Sequence, residues 1–282
     1  AGDLIGGEEA DRRWHWAEEY FAGMGPIVSR VPVLAARGNG DVDVVDPASD
    51  LRRFTSFDHY HNQPDAGTGY FRRRIGDVEF FVLDGNLALH ERGRPGFRQR
   101  QRQWLDQALC TSDAIWKIAI HHQPAYSADA DDYGDAAQGP TSGGDPEIRR
   151  DFVDLYDRYG VDLVLSGHIH GYERSWPLRS GRPDPDGTVY VQIGGGGGDH
   201  EYPGPTRGAT AAALADGYHF GLVRLFAGRL EMIVADAEGR TIDRFALDAR
   251  RHVPPAGVSP PAPPGAAAAR NGPPTAASAP GR

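Results

Sequence analysis

Cysteine is almost missing from this chain: Cys110 is the only one in 282 residues. An internal disulfide framework is thereby excluded. Cys110 follows Trp104, Leu105, Ala108 and Leu109 at helical spacing, which marks it as a packed thiol. Long apolar runs are missing too, and none approaches the ~18 residues of a membrane span. Nor is there an excess of positive charge. Thirty Lys and Arg stand against 39 Asp and Glu, for a net charge of −9. With the signs interspersed, that composition excludes a general nucleic-acid or membrane-surface binder and leaves small anionic substrates open. No initiating Met and no signal peptide are in view at Ala1-Gly2-Asp3. The many Gly and Pro residues and the near absence of Cys point to a secreted or extracytoplasmic protein. What is present supports a real core: 39% of residues are hydrophobic and 10% aromatic.

Periodicity divides the chain. Residues 8–22 carry Trp14, Ala17, Tyr20 and Phe21 at helical spacing, which predicts a helix packing by its aromatic face. Arg30–Arg37 reads as a buried strand broken by Gly38-Asn39-Gly40-Asp41. Two runs either side of Gly76-Asp77, 69–75 and 78–84, read as a hairpin. Helices are predicted over 95–109 and 147–159, and buried strands over 115–120, 161–166 and 188–193, the last running into Gly194–Gly198. Runs at 218–226, 229–236 and 241–247 read as an antiparallel meander. Nine of the 22 prolines lie in residues 254–282, among Ala, Gly and Ser. The expected organisation is therefore a folded domain over 1–248 and a disordered tail over 249–282.

Strands alternating with helices imply a mainly parallel sheet, and the meander implies a second, antiparallel one. Open sheets of this kind bind ligands at the carboxyl ends of their strands. Polar, Gly-bearing segments fall at four such places: Asp3, Gly38-Asn39, His121-His122, and Gly167-His168-Ile169-His170. In extended chain, residues two apart point the same way, so His168 and His170 would present two imidazoles together. Taken singly, each is most simply a turn or loop residue. Together they offer a carboxylate, an amide and three imidazoles. Such a set suits Zn, Mn or Fe better than Ca or Mg.

The order Gly-Asp, Gly-Asn, His-x-Pro and Gly-His-x-His, with Tyr172-Glu173-Arg174 after it, resembles the calcineurin-like metallophosphoesterases. The nearest branch is the purple acid phosphatases and their bacterial relatives. The resemblance runs from Gly2 to about Leu247. It implies an α/β fold of two packed mixed β-sheets flanked by helices, the αββα sandwich. It further implies two divalent or trivalent metal ions (Fe, Zn or Mn) and hydrolysis of a small phosphate ester by a metal-bound hydroxide, with no nucleic-acid partner. Carried over by position, Asp3 is the bridging carboxylate; Asn39, His122 and His168 complete one metal site; His170 joins the other. Catalytic roles fall to His168 and Asn39 as well. His122 is preferred to His121 because the family's ligand stands two before the proline. Glu173 and Arg174 are read as supports of the loop.

Three departures bear on activity. The family's opening Asp-x-His or Asp-x-Gly strand is not among these residues, so the sheet is expected to lack its first strand and His170 to serve a half-built site. One bound metal would follow. Gly6 stands where purple enzymes carry a tyrosine, so no tyrosinate-to-iron colour is expected. Gly40 replaces a histidine that assists the leaving group; losing a positioned acid costs about 10²–10⁴-fold. His59 and His61 are the candidate substitutes for substrate binding. The alternative function is an impaired or inactive scaffold acting as a binding module.

Overall fold

The computed structural model describes residues 1–6, 12–46, 48, 51–61, 67–128, 144–201 and 210–250. The Pro-rich tail from 251 onward and most of the Gly/Asp-rich segment at 128–145 lie outside them. The central sheet has seven strands: β1 (Phe71–Ile75), β2 (Val78–Val82), β3 (Trp116–Ile120), β4 (Leu163–Ser166), β5 (Tyr172–Ser175), β6 (Val189–Ile193) and β7 (Ala211–Ala215). Their spatial order is β7-β5-β6-β4-β3-β2-β1. The middle four, β6, β4, β3 and β2, run parallel. Antiparallel partners finish both sides, with β1 on β2 and with β5 between β6 and β7. A second sheet is the antiparallel meander β8 (His219–Leu225), β9 (Arg229–Asp236) and β10 (Thr241–Asp248). The large sheet is mixed and flanked by helices, as the fold-class expectation required, while the smaller sheet is wholly antiparallel.

Period-two alternation assigns each strand residue to one of two cores. Phe81, Ala119, Val164 and Tyr190 face a layer of helices. That layer comprises α2 (Leu87–Gly93), α3 (Phe97–Cys110) and the helical stretch 146–159, whose last part, α4, is Asp154–Tyr159. Val78, Val82, Trp116, Ile118, Leu163 and Val191 face the other way, onto Leu230, Met232 and Val234 of β9. With both faces covered, every residue of β3 is buried, which is why the parallel strands read as unbroken apolar runs. Fully burying each large side chain here contributes roughly 1.5–3 kcal/mol. Cys110 ends α3 half-buried against the helix-side core.

Two expectations fail. Arg30–Arg37 has the composition of a strand, yet no strand is formed there among the described residues; Ala35, Ala36 and Arg37 are buried in irregular backbone. The N-terminal helix runs from Arg12 to Val28, and its middle turn, Trp16–Phe21, is wound wide, with five rather than four residues spanned per hydrogen bond. That rotation buries Trp16 and Tyr20 and leaves Trp14 55% exposed. The aromatic face therefore differs from the one that regular spacing predicts.

Candidate metal centre

All four parallel strands deliver polar segments to one edge. Asp84-Gly85-Asn86 follows β2, His121-His122-Gln123 follows β3, Gly167–His170 follows β4, and Gly194–Gly198 follows β6. Neighbouring loops are tied directly, the Gly167 N–H donating to the His122 carbonyl at 2.8 Å. Alternation separates the adjacent histidines. His121 continues onto the helix face, where its ring lies parallel to that of Tyr156 and burial lowers its pKa to about 4. His122 turns to the cluster.

There the ligand atoms of Asp3, His122 and His168 all lie within 4.8 Å of one another. His122 Nε2 is 2.9 Å from Asp3 Oδ2, 3.1 Å from Asn39 Oδ1 and 3.2 Å from His168 Nδ1. Its other nitrogen, Nδ1, donates to the Ala1 carbonyl at 2.7 Å. That bond fixes the tautomer and turns the Nε2 lone pair toward three further acceptor atoms. Such a convergence of lone pairs needs a cation at its centre. Without a metal a proton takes that part: although burial opposes it, Asp3 raises the pKa of His122. Reciprocally, His122 and the Gly40 N–H outweigh burial and hold the Asp3 carboxyl below the usual range. The donor set fits a borderline divalent cation.

The ligand-bearing backbone is unusual. Asp3 (φ 47°) and His168 (φ 72°) are two of three non-glycine residues with positive φ among those described. Gly38 permits close approach of the two N-terminal segments: a Cβ there would fall 2.1 Å from Asp3 N. Asp41 joins the same segments, accepting from Leu4 N at 2.9 Å and Gly38 N at 2.8 Å. Fully buried beside the Asp3 charge, its carboxyl is pushed up to about 7. Sequence reading took Asp41 only as part of a break; its signal was an acidic residue two after Asn39.

The structure thus brings Asp3, Asn39, His122 and His168 together. It does not bring His170 to them. The strand stops at Ser166 and the left-handed turn at His168 diverts the chain, so the extended geometry that would align two imidazoles is lost. His170 Nδ1 donates instead to the Asp199 carbonyl at 2.7 Å, and its N–H to Glu201 at 3.2 Å. His59 and His61 lie on α1 (Thr55–His61). His61 packs among Trp16, Tyr20 and Phe57, and burial lowers its pKa to about 4. His59 is exposed, its ring against Tyr60. Glu173 accepts from Ala128 N at 2.6 Å, and Arg174 pairs with Asp243 at 2.7 Å.

The chain is similar to several known proteins. Purple acid phosphatase 23 of Arabidopsis thaliana is 28% identical over 182 residues, covering 62% of this chain and 36% of its own length. An uncharacterized protein of Mycobacterium tuberculosis is 28% identical over 228 residues, covering 70% of this chain and 41% of its own length. The chain spans less than half the length of these relatives. Among solved structures, a purple acid phosphatase from yellow lupin (Lupinus luteus) seeds shares the fold, with a TM-score of 0.67 at 21% identity, over 83% of this chain and 43% of that one. The family model for calcineurin-like phosphoesterases matches residues 1–172. On that match the chain belongs to the calcineurin-like phosphoesterase family.

Proposed function

We propose that the chain is an acid phosphatase-like, metal-dependent hydrolase of small phosphate esters, holding one metal ion through Asp3, Asn39, His122 and His168. The observation that carries this reading is the convergence of their acceptor atoms on His122 Nε2. A bound Fe, Zn or Mn ion supplies Lewis-acid neutralisation of phosphoryl charge and acidifies its water. Asp3 contributes a carboxylate kept ionised, and the Ala1 carbonyl keeps His122 pointed inward. Asn39 is exposed and turns its oxygen to His122, leaving its amide N–H groups for a phosphoryl oxygen. One ion rather than two is supported by the cluster of candidate ligand atoms, which takes in Asp3, His122 and His168 but not His170. The reading includes a secreted setting and a monomeric phosphate ester, not a nucleic acid, as substrate.

Position 40 carries no side chain that could protonate a leaving group, so aryl phosphates are the favoured class. The test is hydrolysis of p-nitrophenyl phosphate and glycerol phosphate with added Zn, Mn or Fe. Activity abolished by chelation, restored by metal, and reduced at least 10²-fold by His168→Ala is expected. In Gly40→His, glycerol phosphate turnover should gain more than aryl turnover. The new Cβ would sit 3.0 Å from the Ile5 carbonyl and 3.1 Å from Asp3 Oδ1, so the loop must yield by a few tenths of an ångström. Equal gains would overturn the aryl preference. Metal bound without turnover of either ester would instead support a second reading, a binding scaffold, which Gly40 and the absence of His170 from the cluster favour.

A further inference from the structure

Behind the cluster lies a buried polar network that the proposed chemistry does not use. Asn86 is 2% exposed, and its carboxamide makes three hydrogen bonds. Nδ2 donates to the Arg37 carbonyl at 3.3 Å and to Asp84 Oδ1 at 3.0 Å; Oδ1 accepts from Gln123 Nε2 at 3.1 Å. Arg37 immediately precedes Gly38-Asn39, and Gln123 immediately follows His122. One side chain therefore ties the backbone just before Asn39 to the side chain just after His122, without itself supplying a ligand atom to the cluster.

The base on which Asn86 stands is rigid. Asp84 is fully buried, and its carboxylate accepts from Asn86 N at 3.0 Å and pairs with His90 Nε2 at 2.7 Å and the Arg37 guanidinium at 3.3 Å. Gln101, equally buried, brackets the Asp84 peptide: its Oε1 accepts from Asp84 N and its Nε2 donates to Asp84 O, both at 2.9 Å. Gly85 lets the Gln123 amide lie on the backbone, since a Cβ there would be 2.1 Å from Gln123 Oε1. Arg37 is anchored a second time by Asp58 and packs over the Phe54 ring. Asp84 and Arg37 are pinned by partners other than Asn86, and the Gln123 backbone is held by its carbonyl, which accepts from His121 Nδ1 at 2.7 Å, so the carboxamide links two anchored loops.

We propose that Asn86 is a positioning residue. Its carboxamide sets the spacing between Asn39 and His122, and with it the geometry of the metal centre. This rests on the metal-centre reading above, and the experiment separates the two. The full chain carrying Asn86→Ala, Gln123→Met, or both is labelled at the histidine rings and examined by NMR without metal, then titrated calorimetrically with Zn²⁺ and Mn²⁺. In Asn86→Ala the His122 ring signals should shift or broaden while those of His219, on β8, stay in place. Metal affinity should fall about 10–100-fold, the range for partners behind metal ligands. Because both residues act through one tie, the double variant should bind metal within about twofold of the weaker single variant. His122 signals that do not move in the folded variant, a metal Kd within twofold of wild type, or fully additive losses would overturn the proposal. If wild type binds neither metal, the metal-centre reading fails, and the ring signals still decide whether the tie exists. Should Asn86→Ala not fold, Gln123→Met, which keeps bulk and removes the donor along with an amide oxygen that has no hydrogen-bond partner, carries the same outcomes.

Discussion

Asp84 shows how much a single buried charge depends on its partners. Burial alone would raise its pKa, but His90 and Arg37 outweigh burial and hold it at about 2. A carboxylate whose folded pKa lies below its unfolded value of 3.8 gives stability that is present in full above about pH 4. It is lost as pH falls through about 2, where both states are protonated. Order-of-magnitude linkage puts the contribution near 2 kcal/mol. Urea unfolding between pH 2 and 6 should show this slope, and Asp84→Asn should flatten it while costing about 3–5 kcal/mol at neutral pH by removing the buried carboxylate that Arg37 and His90 share and leaving Arg37 only Asp58. A slope unchanged in Asp84→Asn would remove Asp84 from the account. At this scale sequence reading reaches furthest where spacing carries the information. Two before the proline selected His122 over His121, and alternation along β3 is the physical reason it faces the cluster. It missed Asp41 and Asn86 because their roles are fixed by segments 37–49 residues away in sequence.

Elements were legible where one apolar face or two demanded a period. The parallel strands β3 and β4, the β1–β2 hairpin, α3 and the meander β8–β10 fall within a few residues of the sequence reading. β7 was not legible: Ala-Ala-Ala-Leu-Ala has no β-branched residue, and it is a strand because β5 offers an unpaired edge. Arg30–Arg37 fails the other way, since composition without a ladder partner does not make a strand. The Tyr172-Glu173-Arg174 triplet after the His-x-His loop works at this scale too. From β5, the Tyr172 hydroxyl and the Arg174 guanidinium both bind Asp243 of β10 at 2.7 Å, and Arg174 packs over Phe245. These contacts fasten the small sheet to the large one. Asp243→Ala should therefore cost about 2 kcal/mol of stability and leave metal affinity within twofold, measured by thermal melts and calorimetry. A parallel loss of metal affinity would show that the triplet supports the site and not the sheet interface alone.

For the whole molecule, the candidate metal centre lies where three segments meet: the segment bearing Asp3, the irregular segment bearing Asn39, and the sheet edge bearing His122 and His168. A ligand that binds only when all three are assembled stabilises them together. At a hundredfold excess over Kd the gain is about 2.7 kcal/mol. For a fold of this size that is roughly 5–10 °C in Tm. Melts with Zn²⁺ and after chelation should differ by that amount in wild type and coincide in Asp3→Ala. Equal shifts in the two would place the bound metal elsewhere. The layer plan was readable from the order of elements, but the strand order was not. Placing β5 and β7 beyond β6 depends on pairings that local composition does not encode.

The left-handed backbone at Asp3 and His168 has a consequence for how the sequence can change over time. Non-glycine residues in that region carry a cost of about 1–3 kcal/mol, although Asp and His tolerate it better than most. At His168 the residue best for the backbone and the residue best for the ligand set are different. His168→Gly should abolish metal binding and raise the Tm of the metal-free protein; a lower Tm would mean the ring's contacts outweigh the strain. If the strain outweighs the ring's contacts, a lineage released from selection on metal binding would gain stability by losing this histidine.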